Sequence, residues 1–180
     1  EELAQMIESG DWEHLLRRIP VQAGEFYHVP SGTIHAIGKG IMILETQQSS
    51  DTTYRVYDYD RKDDAGQTRE LHIQQSIDVT TVPSNRPENA IVEEKIGDST
   101  VVTYLKTDFF NVYEWQVNGL LSMEKGAPYT LVTVITGEGE LIVDEKTYPL
   151  TMGTSFILPN QIERWEIKGE LKLIASEPGK

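Results

Sequence analysis

The segment most informative about the fold is Gly24-Glu25-Phe26-Tyr27-His28-Val29-Pro30-Ser31-Gly32-Thr33-Ile34-His35. Gly24 begins a β-prone run after a turn, and Pro30 with Gly32 forms a tight turn that redirects the chain. Beyond that turn we expect His35 to point into a barrel, where a neutral imidazole can bind a metal. A histidine that is hydrogen-bonded in the core fits the same pattern, so the spacing alone leaves both interpretations open.

The same spacing recurs near the end of the chain. Gly153, Pro159, Gln161 and Arg164 stand at the intervals that separate the turn residues and the histidine of segment 24–35. The second copy therefore has glutamine in place of the second glycine and arginine in place of histidine. Because arginine stays protonated and cannot bind a metal, we predict a duplicated β module whose second copy holds neither a metal nor a catalytic residue.

A proline-containing linker divides the chain. Residues 81–89 include Pro83 and Pro87 and show no hydrophobic periodicity, so we predict one domain at 1–83 and a second at 88–180. Beyond the linker, short β-prone runs alternate with turn residues, which predicts a sandwich or barrel. Its strands are expected at 101–105, 111–117, 129–136, 140–143 and 155–158.

A short helical leader is predicted before the β-rich part. Apolar residues at i, i+3 and i+4 indicate a first helix that Gly10 ends and a second that Asp11 caps and Pro20 closes. One or two helical turns are expected again at 73–77. Between these helices, a short apolar strand is predicted at 41–44.

Composition excludes several classes of function. The chain has 180 residues, no cysteine and a formal net charge of −13 at pH 7. Such an acidic surface repels a phosphate backbone, so we expect no nucleic-acid partner, although a local arginine cluster can still bind a small phosphate. No apolar run approaches the roughly 20 residues that a membrane span needs, so no membrane partner is expected. Because Glu1 already lies in a helical pattern and is not methionine, we interpret the chain as a fragment or a processed product.

Two further segments carry a family resemblance. The turn and histidine of segment 24–35 are followed by Glu45-Thr46-Gln47-Gln48-Ser49-Ser50-Asp51-Thr52-Thr53-Tyr54-Arg55 and then by Val56-Tyr57-Asp58-Tyr59-Asp60-Arg61. This order of histidine, glutamate, Ser-Asp and arginine resembles the short bacterial branch of the type I mannose-6-phosphate isomerases, in the cupin superfamily. The resemblance runs through the whole chain but covers only the later part of the family's length. It implies a mainly β protein of cupin, or jelly-roll, barrel units, the first of them incomplete, with a helical leader.

The resemblance also implies an activity and a cofactor. It implies a cytoplasmic, zinc-dependent isomerase that interconverts mannose 6-phosphate and fructose 6-phosphate, a small-molecule sugar phosphate being the partner. The family's other zinc ligands, a glutamine, a histidine and a glutamate, lie upstream of Glu1. We therefore expect this chain to be inactive alone, since a catalytic zinc normally takes three protein ligands.

Carried over residue by residue, the resemblance gives His35 the position of a zinc ligand and Arg55 that of the catalytic-site arginine. Glu45 and Asp51 take acidic positions near the site, where each is either a proton-transferring base or a residue that orients its neighbours. We expect the side chains of His35, Glu45 and Arg55 to converge on one cavity.

Substrate binding is assigned to Arg61 and Lys39. Arg61 stands where longer family members have a lysine, so their phosphate contacts can differ from those of this chain. The three remaining histidines, His14, His28 and His72, are expected to have structural roles.

Two other functions compete with the isomerase. The metal-free second copy favours a non-catalytic cupin module that binds sugar or regulates, whereas Asp51 and Arg55 at fixed intervals from a metal ligand favour catalysis. A metal-dependent oxygenase of the same superfamily needs two or three histidines on one metal, and one is visible here. An incomplete first barrel would also expose sheet edges, and we expect those edges either to be covered by self-association with another copy of the chain or to be poorly ordered.

Overall fold

Strands dominate the computed structural model, which describes residues 1–50, 52–84, 87 and 90–179. This confirms the prediction of a mainly β protein. The chain divides into two compact units, the first made of Glu1–Ile43 and Ser49–Glu88 and the second of Leu44–Gln48 and Asn89–Lys180. The segment Leu44–Gln48 thus groups with the second unit, although it lies inside the range 1–83 expected for the first domain.

The helices of the first unit are α1 (Glu2–Ser9), α2 (Trp12–Leu15) and α3 (Ile73–Val79). Gly10 ends α1 as predicted, in a left-handed conformation with φ 69° that most side chains disfavour. The second helix begins after Asp11 as predicted but ends earlier than expected, because the backbone at Leu16 is already extended. None of the described helices is long and apolar enough to cross a membrane.

The first unit has little regular structure besides these helices. In its described part, the β pairing consists of one isolated bridge, between Lys62 and Thr68. The predicted strand at 41–44 is therefore wrong, since a strand requires a hydrogen-bonded neighbour and these residues have none. Met42 in that segment is 96% exposed, and Ile7 is the one fully buried apolar side chain among the unit's described residues. The described part of the unit therefore shows no cluster of buried apolar side chains.

The second unit is a single antiparallel sheet of seven strands, in the order β1-β2-β3-β7-β4-β5, with β6 paired to β4. The strands are β1 (Val92–Ile96), β2 (Ser99–Lys106), β3 (Phe110–Glu124), β4 (Thr130–Val143), β5 (Lys146–Thr151), β6 (Ser155–Leu158) and β7 (Arg164–Pro178). The long strand β7 lies between β3 and β4 and pairs with both. This arrangement brings the end of the chain into the middle of the sheet.

The strands expected at 101–105, 111–117 and 155–158 are confirmed, but the two expected at 129–136 and 140–143 are one continuous strand, β4. A bulge between Val134 and Thr136 moves the buried positions of β4 from even to odd residue numbers, so the alternation is interrupted without a turn. Strands β1, β5 and β7 were not predicted. In β5, Pro149 obscured the strand signal, and it is tolerated there because β5 is an edge strand.

Glycines form a row across the three long strands. Gly169 of β7 is opposite Gly119 of β3 on one side and Gly139 of β4 on the other. A Cβ at Gly139 would lie 2.3 Å from the Lys168 carbonyl oxygen, and one at Gly169 would lie 2.5 Å from the Glu138 carbonyl oxygen. No side chain fits at these two positions, so the strands approach each other there more closely than side chains would allow.

Beyond this row, buried side chains of the long strands form one core. Val132 and Leu141 on β4 and Ile167 and Leu173 on β7 belong to the same buried cluster on both sides of the glycines. Trp115 and Trp165 are 1% and 3% exposed, and their ring centroids are 6.2 Å apart. The second unit therefore has an apolar core of its own, which the described residues of the first unit do not form.

Two glycines with nearly the same φ test this close approach. Gly137 has φ 83° and Gly153 has φ 87°, but a Cβ would lie 2.0 Å from the Glu170 carbonyl oxygen at Gly137 and would meet nothing within 4 Å at Gly153. We expect Gly153→Ala to lower the free energy of unfolding by about 1–2 kcal/mol, from the left-handed conformation alone. We expect Gly137→Ala to lower it by a further 1–3 kcal/mol or so, because the backbone must also move apart.

The measurement is urea unfolding followed by tryptophan fluorescence in a Trp12→Phe background, which leaves Trp115 and Trp165 of the second unit as the two reporters. Equal losses of stability in the two alanine variants would contradict the proposed steric difference.

Candidate functional site

A closed loop in the first unit carries most of the predicted polar residues. We call residues 55–72 the arginine loop. Its two ends are joined by backbone hydrogen bonding, since the His72 N–H donates to the Arg55 carbonyl oxygen at 2.7 Å. The Arg55 N–H in turn donates to Nδ1 of His72 at 3.2 Å. His72 therefore has the structural role expected for it, and the start of the loop is held next to its end.

A hairpin-like turn closes the middle of the loop. Lys62 and Thr68 form a β bridge, and the Asp63 carboxylate accepts hydrogen bonds from the backbone N–H groups of Ala65 and Gln67, at 2.9 and 2.8 Å. Aspartate commonly stabilises turns in this way. The residues that flank the bridge, at 61 and 69, are consequently brought side by side although eight positions separate them.

A second, tighter turn lies just before this hairpin. Tyr59 and Asp60 both have positive φ, 56° and 52°, and the Arg61 N–H donates to the Asp58 carbonyl oxygen at 3.1 Å. Residues other than glycine pay a conformational penalty in this region, and such strain is concentrated at functional sites. The Arg61 guanidinium also lies over the Tyr59 ring, 5.5 Å from its centroid. The strained turn thus places Arg61 beside Asp58.

Three arginines converge on the carboxylate of Asp58. Arg69 donates through Nε to Oδ2 at 2.8 Å and through Nη2 to Oδ1. Arg61 donates through Nη2 to Oδ1 at 2.8 Å, and Nε of Arg55 lies 3.9 Å from the same oxygen. The Asp58 side chain is 7% exposed, whereas those of Arg61 and Arg69 are 63% and 53% exposed. We call these four side chains the arginine cluster.

The cluster is electrostatically unusual for this chain. Hydrogen bonds from Arg69, reinforced by those from Arg61, lower the pKa of Asp58 to about 2 although burial acts in the opposite direction. The same partnership raises the pKa of Arg69. Asp58 is therefore an anion at neutral pH, and three positive charges face one negative charge in a chain whose formal net charge is −13. The four side chains of the cluster thus carry an excess of positive charge, although the arginine loop as a whole has four basic and five acidic residues.

The cluster joins two of the predicted site residues, Arg55 and Arg61. The Arg55 side chain is 24% exposed, and its Nη1 donates to the Glu70 carbonyl oxygen at 3.3 Å. Lys39 is exposed, in the turn between Gly38 and Gly40. In the part of the chain that the structure describes, no hydrogen bond or ion pair joins Lys39 to the cluster. Asp51 lies outside the described residues.

His35 has one arrangement that favours metal binding. Its ring is exposed, and Nδ1 lies 2.8 Å from the Thr33 carbonyl oxygen, to which it can donate. An imidazole that donates through Nδ1 leaves the Nε2 lone pair free for a metal. The donor set is incomplete, however, because the described residues contain no group of three histidine, aspartate or glutamate side chains that could hold a metal ion. His35 fits a zinc site as one ligand, and no described hydrogen bond joins it to Arg55.

Glu45 belongs to the second unit. Together with Thr46, Gln47 and residues of β4 and β7, it lines a cavity of about 290 Å³, whose other residues are Leu44, Leu131, Thr133, Ile174 and Ser176. Its side chain is exposed. The convergence of Glu45 with His35 and Arg55 on one cavity stays a prediction.

Arg164, which replaces the histidine in the second copy of the motif, lies on the surface. Its Nη2 is 3.0 Å from Oε1 of Glu124, and both side chains are more than two-thirds exposed, at 79% and 73%. An exposed pair of this kind contributes little to stability. His14 has a comparable surface partner, with Nδ1 at 2.7 Å from Oδ1 of Asp11. Nδ1 of His28 is buried and has no hydrogen-bond partner among the described residues.

Sequence reasoning missed two residues of the arginine cluster, Asp58 and Arg69. Asp58 lies within the segment that carries the family resemblance, and Arg69 lies eight residues beyond the end of that segment. The available signal was the recurrence of arginine at 55, 61 and 69 in a strongly acidic chain, with the turn-forming residue Gly66 between the last two. A turn that doubles the chain back brings such residues together.

Comparisons with known proteins agree with this structure. Residues 100–178 match the family model described as mannose-6-phosphate isomerase, cupin domain. The chain is 56% identical to mannose-6-phosphate isomerase of Streptococcus mutans over 98% of its own length and 55% of that protein's. It is 47% identical to mannose-6-phosphate isomerase ManA of Bacillus subtilis, again over 98% of its length and 56% of the relative's.

A solved structure extends the agreement to the fold. The crystal structure of mannose 6-phosphate isomerase from Bacillus subtilis superposes with a TM-score of 0.94 at 46% identity, over 98% of this chain and 56% of that one. The chain therefore spans about half the length of the relatives it matches. Over the residues that it spans, the chain is similar to the mannose-6-phosphate isomerases and has the fold of the Bacillus subtilis enzyme, and residues 100–178 match that family's cupin domain.

Proposed function

We propose that these residues are the later part of a zinc-dependent, cytoplasmic mannose-6-phosphate isomerase, which interconverts mannose 6-phosphate and fructose 6-phosphate. The observation that carries the proposal is the arginine cluster, in which three guanidinium groups surround one carboxylate on a strained and closed loop. A sugar phosphate is the kind of ligand that such a cluster attracts, because arginine binds phosphate oxygens through paired N–H groups. The names of the relatives supply the reaction.

Isomerisation between an aldose and a ketose moves a proton between adjacent carbons while negative charge develops on the sugar oxygens. A zinc ion, when bound, would supply positive charge at those oxygens. His35 would contribute one ligand through Nε2, since Nδ1 faces the Thr33 carbonyl oxygen. The remaining ligands would come from the family's upstream residues, so the resident metal depends on more than this chain.

Arg55 is the residue of this chain best suited to stabilise the developing charge. Its backbone is fixed at both N–H and carbonyl by His72, and its guanidinium is held by the Glu70 carbonyl and faces the Asp58 carboxylate. An arginine held in this way meets the transition state without reorganising, which is where electrostatic catalysis gains most. Glu45 and Asp51 are the proposed bases, and Arg61 and Lys39 the proposed substrate-binding cations.

The first experiment compares this chain with a longer protein that carries the family's upstream segment. We expect isomerisation of mannose 6-phosphate, with added zinc, in the longer protein and none measurable in the 180-residue chain, because one imidazole does not make a stable catalytic zinc site. Equal turnover by both proteins would refute the claim that the other ligands lie upstream. Absence of turnover in both, with sugar phosphate still bound, would favour the non-catalytic module.

The second experiment separates the metal ligand from the arginine in the longer protein. We expect His35→Ala to lower the bound zinc and turnover together, because it removes a ligand. Arg55→Ala should leave the zinc content unchanged while lowering kcat by about 100-fold or more, as expected when one charge-stabilising group is lost. Zinc is measured by atomic emission on the purified variants.

Arg164→Ala is the matched control, since it removes an exposed arginine whose pairing with Glu124 lies far along the sequence from the cluster. It should change neither zinc content nor turnover. Loss of turnover in this variant, with the fold intact, would count against a purely structural second unit.

A further inference from the structure

We infer that Arg69 and Arg61 form a clamp for the phosphate group of the substrate, with Asp58 as the residue that positions both guanidinium groups. The identity of the ligand as a sugar phosphate rests on the proposed function, whereas anion binding by the clamp does not. Arg69 has no role in the assignments made from sequence, and the inference comes from where the arginine loop places it.

The two guanidinium groups lie side by side because they share an acceptor. Nη2 of Arg61 and Nη2 of Arg69 both donate to Oδ1 of Asp58. A guanidinium has five N–H donors, and neither arginine uses its Nη1 group on an acceptor in the described part of the chain. The side chains are 63% and 53% exposed, so these unused donors are accessible to a ligand from solvent.

The charges of the cluster explain why a dianion suits it. One carboxylate balances one of the three guanidinium groups, and like charges held this close repel each other. A phosphate monoester carries close to two negative charges at neutral pH and offers three acceptor oxygens. Such a group would both neutralise the excess and accept the free N–H groups, with the paired geometry that arginine favours for phosphate.

The backbone supports a positioning role for Asp58. The turn that carries Arg61 keeps two non-glycine residues, Tyr59 and Asp60, at positive φ, and Arg61 Nε also donates to the Asp58 carbonyl oxygen at 3.2 Å. On the other side, the bridge between Lys62 and Thr68 brings Arg69 back to the same carboxylate. An ordinary surface ion pair needs neither a strained turn nor a bridge, since it forms between flexible side chains wherever they meet.

The direct test is binding of inorganic phosphate to the full-length protein at low ionic strength, followed by phosphorus-31 NMR. Arg69→Gln should weaken binding at least about tenfold, because one charge and a pair of charge-assisted hydrogen bonds are lost. Arg69→Lys keeps the charge without the planar fork and should fall between that variant and the wild type. Arg164→Gln removes the same charge from the surface pair with Glu124 and should leave the affinity within about twofold.

Equal weakening by Arg69→Gln and Arg164→Gln would overturn the clamp, since it would mean that net charge alone decides. The same conclusion follows if the wild-type protein binds no phosphate. If Arg69→Gln does not fold, as judged by circular dichroism, Arg69→Lys decides the question, and an affinity equal to that of the wild type contradicts the clamp.

Kinetics distinguish failure of the clamp from failure of the proposed function. In the active isomerase, Arg69→Gln should raise the KM for mannose 6-phosphate and the inhibition constant of inorganic phosphate in parallel, at least about tenfold, with a smaller change in kcat. Unchanged KM and inhibition constant in an active enzyme would reject the clamp alone. If the wild-type protein binds phosphate through Arg69 but does not isomerise the sugar, the clamp stands and the proposed function is wrong.

Discussion

The Asp58 carboxylate is the interaction on which the arrangement of the first unit depends. It is almost inaccessible to solvent, yet three exposed or partly exposed arginines reach it from both sides of a turn. A buried carboxylate without partners would be costly, and three adjacent guanidinium groups without a carboxylate would repel one another. The guanidinium groups therefore offset the cost of burying the carboxylate, and the carboxylate offsets the repulsion between the guanidinium groups. As a result, the loop between Arg55 and His72 is held in one conformation.

The two units achieve order in different ways. In the second unit, long paired strands bury a continuous apolar core that includes Trp115 and Trp165. In the first unit, one apolar side chain among the described residues is fully buried, and order comes from hydrogen bonds, ion pairs and ring contacts, such as the stacking of Trp12 on Tyr57 at 5.4 Å. Polar networks specify geometry well but contribute less net stability than apolar burial. The arginine cluster thus lies on the unit whose described residues bury fewer apolar side chains.

Sequence reasoning succeeded where a signal is local. The helix ending at Gly10 and the strand Ser155–Leu158 each follow from neighbouring residues, and both were predicted with the correct type and nearly correct bounds. The continuity of β4 was missed because a bulge and Gly137 look like a turn when strand pairing is unknown. The pairing of β4 with β7 on both sides of the bulge shows that β4 is continuous, and no local sequence pattern reveals this pairing.

The candidate site shows the same limit. The family resemblance identified Arg55 and Arg61 because they stand in a continuous phrase, but Arg69 becomes their neighbour only through the bridge between Lys62 and Thr68. The carboxylate to which all three arginines are drawn belongs to Asp58. No feature of the sequence distinguishes Asp58 from the other acidic residues nearby. Burial and shared hydrogen bonds distinguish it, and both are properties of the folded loop.

The central position of β7 also has a consequence for how the second unit forms. β7 is the last strand of the sheet in chain order, yet it is the neighbour of both β3 and β4. Pairing of Phe110 with Pro178 and of Glu124 with Arg164 joins residues far apart in sequence, and such contacts form slowly because a long segment must be ordered first. Until β7 pairs with them, β3 and β4 therefore each have one unpaired edge. The sheet is completed at its centre, by the last of its described strands in chain order.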